Sequence, residues 1–132
     1  RKLPRHKELE FASRQLPSIE INGTFYSLQR PTSYQNWYNL TPPGFVFSVK
    51  ANRYITHIKK LNDAEIPMAN FFASGVFHLK EKLGPFLWQF PPSMGFDPDK
   101  FEAFLKLLPR DFEEAQKLAK KNELAKERTA LK

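Results

Sequence analysis

The sequence predicts an α/β protein in which three parallel strands alternate with helices, and three observations carry that expectation. Apolar runs near 18–26, 45–50 and 84–90 read as strands, and segments of helical periodicity separate them. The third run is apolar on both faces, the pattern of a parallel strand covered by helices. Three parallel strands leave two unpaired edges, which need cover from further strands or from another chain. The chain therefore reads as one partial domain over residues 1–132, part of a larger barrel.

Each element follows from local signals. Lys7 to Gln15 carries Leu9, Phe11 and Ala12, with Leu16 beyond them, among charged residues, as an amphipathic helix does, and Leu16-Pro17 ends it. Residues 18–26 alternate, with Ile19 and Ile21 on one face and Glu20 and Asn22 on the other. After Gln29-Arg30-Pro31, Thr32 or Ser33 is a candidate cap for a helix whose apolar side holds Tyr34, Trp37, Tyr38 and Leu40. Pro42-Pro43-Gly44 stops that helix, and Phe45 to Lys50 forms the second strand. Residues 62–67 read as a loop, and Met68 to Leu79 as an apolar helix crossing Gly75. The third strand is closed by Pro91-Pro92. Asp97 and Pro98 then supply a cap and a first-turn proline for a helix burying Phe101, Phe104, Leu105 and Leu108. Asp111 to about Leu124 is the last helix, with Phe112, Ala115, Leu118 and Ala119 inward; the sign-alternating segment to Lys132 reads as an exposed face.

Composition narrows the chemistry. Cysteine is absent, which removes disulfides, thiolate catalysis and cysteine-bound metals together. No apolar stretch reaches the roughly 20 residues of a membrane span, and the basic start lacks the apolar centre of a signal peptide, so a soluble, cytoplasmic protein with no membrane contact is expected. The net charge is +7, and its excess lies in residues 1–60, which hold ten cations and three anions. Such a field favours anionic partners, a small molecule or a nucleic acid; the plainer alternative is a basic surface that confers solubility. Phosphate-cradling glycine loops, Gly-x-Ser-x-Gly elbows and His-Glu-x-x-His motifs are all missing.

Three segments together resemble the domain of unknown function 72 family, also called YecE-like. They are Ser18-Ile-Glu-Ile-Asn-Gly-Thr-Phe-Tyr26, the stretch from Thr41 through Lys50 to Arg53 and His57, and Leu83-Gly-Pro-Phe-Leu-Trp-Gln-Phe-Pro-Pro92. Phe96-Asp-Pro and Phe104-Leu-Lys-Leu-Leu-Pro-Arg110 extend the likeness over nearly the whole chain. The resemblance implies a TIM-type β/α barrel in members about twice this length, as a complete barrel requires. On that reading the chain holds strands two to four, without the opening glycine- and tryptophan-containing strand and the later strands. The open edges would then be covered by those barrel strands or by a partner chain.

In that fold the active site lies at the carboxyl ends of the strands. Those ends present Asn22, Thr24 and Tyr26 from the first strand, Lys50, Arg53, Thr56 and His57 from the second, and Gln89 from the third. Lys50 and Arg53 are candidates for an anion clamp, a mobile point charge beside a planar fork. Glu20 and His57 are candidates for a general acid/base pair. The competing reading has Glu20 as a structural partner of Lys50 or Arg53, and His57 bonding the backbone. Asn22, Thr24, Thr56 and Gln89 are candidate polar contacts, and Tyr26 a candidate stacking surface. No metal is expected, because His6 and His78 belong to other faces and a catalytic site needs about three ligands. No cofactor is expected either.

Overall fold

A computed structural model of the protein describes residues 3–126. It is an α/β fold with three parallel strands, β1 (Ser18–Ile21), β2 (Val46–Lys50) and β3 (Leu83–Leu87), joined in the order β1-β2-β3 with β2 in the centre. The sheet is open, in keeping with part of a barrel-type fold. α-Helical segments accompany it, among them α1 (Glu8–Gln15), α2 (Gly23–Tyr26), α3 (Pro31–Leu40), α4 (Glu65–Ala73), α5 (Pro98–Leu107) and α6 (Phe112–Ala119). Residues 127–132, the end of the sign-alternating segment, lie outside the described residues.

Register decides which side chains face the helices. Ile19 pairs with Phe47 and Ile21 with Val49, while Val49 pairs across with Phe86. Ile21, Phe47 and Val49 are buried on this face, whereas Ser18, Glu20 and Val46 are exposed on the other. One face is therefore covered, and the expectation that β3 is buried on both sides is corrected: Pro85 and Leu87 are exposed. β3 is an edge strand here, so its apolar outer positions meet no second layer. Gly84 is required by the close approach of β2, because a Cβ there would lie 2.6 Å from Val46 Cγ1 and 2.7 Å from the Phe47 carbonyl oxygen.

Two strands are shorter than the sequence predicts. β1 ends at Ile21, because Asn22 adopts helical dihedrals and Gly23 to Tyr26 coil into the turn α2. β3 ends at Leu87, where the ladder closes with the Ala51 amide donating to the Leu87 carbonyl at 2.9 Å.

The helices differ in similar ways. α3 is not capped by Thr32 or Ser33; extended Arg30 precedes Pro31 at the first helical position, as the restricted residue before a proline favours. The apolar helix after residue 67 does not run through Gly75. It ends at Ala73, Gly75 takes φ +124°, and the chain tightens into a 3-10 segment, Val76–Lys82. A Cβ on Gly75 would stand 2.6 Å from Pro31 Cα, so its absence permits both the turn and the contact with α3. Asp97 and Asp111 cap α5 and α6 through amides of Asp99, Lys100 and Glu114. Phe11, Leu105 and Phe112 are exposed, although their helical spacing predicts inward positions.

Packing holds the sheet through α4. Met68 to Phe72 are five consecutive buried residues, as expected of a helix enclosed on more than one side, and α6 lies against it. Tyr34, Phe47, Val49, Ile55, Phe71, Phe72 and Leu79 complete a continuous core with them. Each large apolar side chain so buried contributes about 1.5–3 kcal/mol of transfer free energy. At the amino-terminal ends of β2 and β3 the core admits one charge, the buried Lys82, whose ammonium donates to the Tyr38 and Thr41 carbonyls at 2.7 Å each.

Candidate functional site

The carboxyl ends of the three strands are tied together by hydrogen bonds to backbone. Thr24 is buried, and its hydroxyl points at the Lys50 carbonyl, 2.6 Å away, and at the Ile21 carbonyl, 3.1 Å away. One proton serves both acceptors, and the shorter contact with Lys50 takes the larger share. Asn52, also buried, donates from Nδ2 to the Thr24 carbonyl at 3.0 Å and accepts the Tyr54 amide at 3.0 Å. Thr24 and Asn52 thus lock α2 to the end of β2 and start the π-helical turn Tyr54–Ile58. Sequence reasoning missed Asn52. Its signal was present, since an asparagine just past a strand forms side-chain turns with the amide two residues on.

Phe25 is the second residue that sequence reasoning missed. Lys50 Nζ sits over its ring, 4.3 Å from the centroid, and the His57 ring meets it edge-on at 5.0 Å. Tyr26 packs on the same ring at 5.1 Å and is itself exposed. Lys50, His57 and Tyr26 are thereby gathered around one aromatic side chain. Thr56 is buried, with its hydroxyl 2.7 Å from His57 Nδ1, so it fixes the imidazole and faces no solvent.

The remaining candidates are less constrained. Asn22 and Gln89 are exposed, and neither side chain hydrogen-bonds to another described residue. Arg53 is exposed just before the π-helical turn and makes no ion pair among the described residues. Glu20 is exposed on the open face of the sheet, opposite Ser48. It forms no ion pair with Lys50 or Arg53 and no hydrogen bond with His57. The structure does not bring Glu20 and His57 together as a bonded pair.

The site's electrostatics are one-sided. From Lys50 to Lys60 the chain carries four cations and no carboxylate. The five ion pairs among the described residues lie elsewhere, and four of them are local pairs within three or four residues. A cation–π contact at a solvated position is worth about 0.5–1 kcal/mol, too little to replace hydration of an ammonium. Lys50 is half-buried and its ammonium contacts the Phe25 ring, with no carboxylate partner among the described residues. Shifted acid–base groups lie apart from this end: Tyr34 is raised by burial, and the hydrogen bond from the Tyr38 hydroxyl to Glu81 (2.6 Å) raises Tyr38 and lowers Glu81.

Two hollows lie on the surface. One of about 390 Å³ opens beside β3, lined by Phe77, Phe86, Trp88, Pro109 and Phe112 among others. The other, of about 280 Å³, follows the ends of β2 and β3 and is lined by Leu61, Phe90, Met94, Gly95, Phe96, Asp97 and Phe101. None of the nine residues singled out from the sequence lines either hollow. Among the described residues no three His, Asp or Glu side chains gather closely enough to hold a metal ion, and no helix is long and apolar enough to cross a membrane.

Comparison with known proteins agrees with the fold. No functionally curated protein matches the chain. The crystal structure of a DUF72 family protein from Enterococcus faecalis V583 superposes with a TM-score of 0.64 at 22% sequence identity, over 76% of this chain and 42% of that one. The chain thus spans about two fifths of that relative's length. Residues 1–119 match the family described as protein of unknown function DUF72. The chain belongs to the DUF72 family.

Proposed function

We propose that the carboxyl ends of β1, β2 and β3 form part of a barrel mouth that binds an anionic ligand, phosphorylated or sugar-containing, for an enzymatic reaction. One observation carries the reading: Lys50 lies over Phe25 at the end of the central strand, with no carboxylate partner among the described residues. An ammonium held this way is organised for an anion before the anion arrives. Arg53 adds a bidentate fork three residues on, and His57, oriented by Thr56, supplies an imidazole able to donate or accept a hydrogen bond. Asn22 and Gln89 are exposed donors at the flanking strand ends, and Glu20 is the candidate carboxylate on the open sheet face. Thr24 acts by holding the Lys50 carbonyl, a positioning role.

The length of the DUF72 relative supports completion of the barrel by further strands beside β1 and β3. The test is titration with inorganic pyrophosphate. The reading expects saturable binding that weakens at least tenfold in Lys50→Ala/Arg53→Ala; equal affinity in the double variant would remove the clamp.

Exposed Tyr26 and Tyr54 near these cations favour a second reading, a nucleic-acid-binding module. A salt series separates the two. Backbone binding to an oligonucleotide falls steeply with added salt, and a salt-insensitive or absent interaction excludes it.

A further inference from the structure

We infer that the buried Thr56 hydroxyl fixes His57 as the tautomer protonated on Nε2, so that the imidazole meets the ligand as a hydrogen-bond donor. Thr56 is then a positioning residue. The ligand class narrows to a tetrahedral oxyanion that has lost its last proton, as a phosphate monoester dianion has. The ligand half of the inference rests on the proposed anion site and deepens it, whereas the tautomer half stands on the protein alone.

The π-helical turn Tyr54–Ile58 gives the two side chains different surroundings: Thr56 is 1% exposed, and His57 is half-buried. The Thr56 hydroxyl oxygen lies 2.7 Å from His57 Nδ1 and makes no other hydrogen bond among the described residues. Two arrangements fit that distance. If Nδ1 carried the proton, Thr56 would accept it, and the hydroxyl's own proton would be left in the interior without an acceptor. If Nδ1 is bare, the hydroxyl donates to it and no buried donor is stranded. A buried donor without an acceptor is the costly case, so the second arrangement holds in the neutral ring. The ring proton then sits on Nε2, which makes no hydrogen bond with another described residue.

His57 and Lys50 are neighbours through Phe25, whose centroid lies 4.3 Å from Lys50 Nζ and 5.0 Å from the centre of the imidazole. The ammonium has donors and no acceptor, the Arg53 guanidinium likewise, and with Nδ1 engaged by Thr56 the imidazole adds one more donor. No carboxylate occurs from Lys50 to Lys60, and Glu20 is not at ion-pair distance from Lys50. Such a set satisfies bare oxygens and leaves a P–OH hydroxyl without an acceptor. Inorganic phosphate at alkaline pH is a dianion that keeps one such hydroxyl, whereas sulfate is a dianion of similar shape that keeps none. The opposite tautomer would present a lone pair at Nε2, accept from that hydroxyl and favour phosphate. The preference between the two ions therefore reads the tautomer from the ligand's side.

The test takes two readouts on the full chain at one alkaline pH. Long-range proton–nitrogen NMR correlations, assigned by their loss in His57→Gln, report the tautomer without ligand, and calorimetry with sulfate and with inorganic phosphate reports the preference. The expected result is a single species protonated on Nε2 in the parent and in Thr56→Ser, and a mixture of tautomers in Thr56→Val. Sulfate should bind the parent and Thr56→Ser within about threefold of phosphate or more tightly, and phosphate should gain at least threefold over sulfate in Thr56→Val. Circular dichroism checks folding, and if Thr56→Val does not fold, the parent and Thr56→Ser decide the matter. A parent ring that is mixed or protonated on Nδ1 overturns the inference and leaves the anion site standing. Phosphate bound more than threefold tighter than sulfate by the parent overturns the donor role, again without touching the anion site. Binding of neither ion by a ring protonated on Nε2 overturns the anion site and the ligand class with it, and supports the role of Thr56.

Discussion

Lys82 Nζ lies 2.7 Å from the carbonyl oxygen of Thr41 and 3.0 Å from its Oγ1, so a buried ammonium is held by oxygen dipoles with no carboxylate at ion-pair distance among the described residues. The Tyr38 carbonyl, in the last turn of α3, is the third acceptor at 2.7 Å, and the Tyr38 ring lies 4.2 Å from Nζ. The negative end of the helix dipole supplies part of the counter-charge. Replacing Lys82 by Met should destabilise the fold by about 2–4 kcal/mol, because the freed carbonyls lose their donor in a buried place. Thr41→Val, which leaves two carbonyl acceptors, should cost about 1 kcal/mol. Urea denaturation reads both, and a Lys82→Met protein as stable as the parent would mean that water replaces the ammonium.

Gly75 and Gly95 make opposite predictions under the same substitution. Gly75→Ala places a Cβ against Pro31 Cα at left-handed φ, and should lose about 2 kcal/mol or more. Gly95→Ala meets open space and should stay within about 0.5 kcal/mol of the parent. Paired thermal melts decide it, and equal losses at the two sites would refute the described packing of α3.

Thr24 and Asn52 should behave as one unit. Thr24→Val removes the hydroxyl from the Lys50 carbonyl, and Asn52→Ala removes a buried donor and acceptor; each should cost about 1–3 kcal/mol. The double variant should lose less than the two single losses combined, since both maintain the same junction. Strict additivity in chemical denaturation would show that they act independently.

The Tyr38–Glu81 bond predicts a pH dependence at the opposite end of the sheet. Glu81 is lowered first by the tyrosine hydroxyl, so its stabilising contribution is present above the ordinary carboxylate range and is lost as pH falls through its folded value. Tyr38 is raised first by the same bond, so its contribution is present below the ordinary tyrosine value and is lost as pH rises through the higher folded value. Tyr38→Phe should return Glu81 towards its ordinary range in a carboxyl NMR titration. An unchanged Glu81 titration would assign the shift to its backbone hydrogen bond first, and then to Lys82 and Lys80.

The sequence made the parallel order and β2 legible because apolar runs and proline or glycine breaks coincide there. It was less clear at Asn22-Gly23, where alternation continues on paper but the Thr24 and Asn52 hydrogen bonds turn the chain. Gly75 inside an apolar stretch reads as helix until the distance to Pro31 is known. The cations after β2 were visible as a cluster, whereas Phe25 beneath Lys50 was not, since an aromatic after a strand has no signal separating core from platform. The hollow at Leu61 and Phe96 joins residues 35 apart, which no local pattern connects.

Amide chemical-shift mapping with inorganic phosphate tests the anion site most directly. The account predicts saturable shifts at Ala51, Asn52 and Arg53 and in α2, reduced in Lys50→Ala. Shifts confined to the exposed lysines of α6, or none at the end of β2, would contradict it.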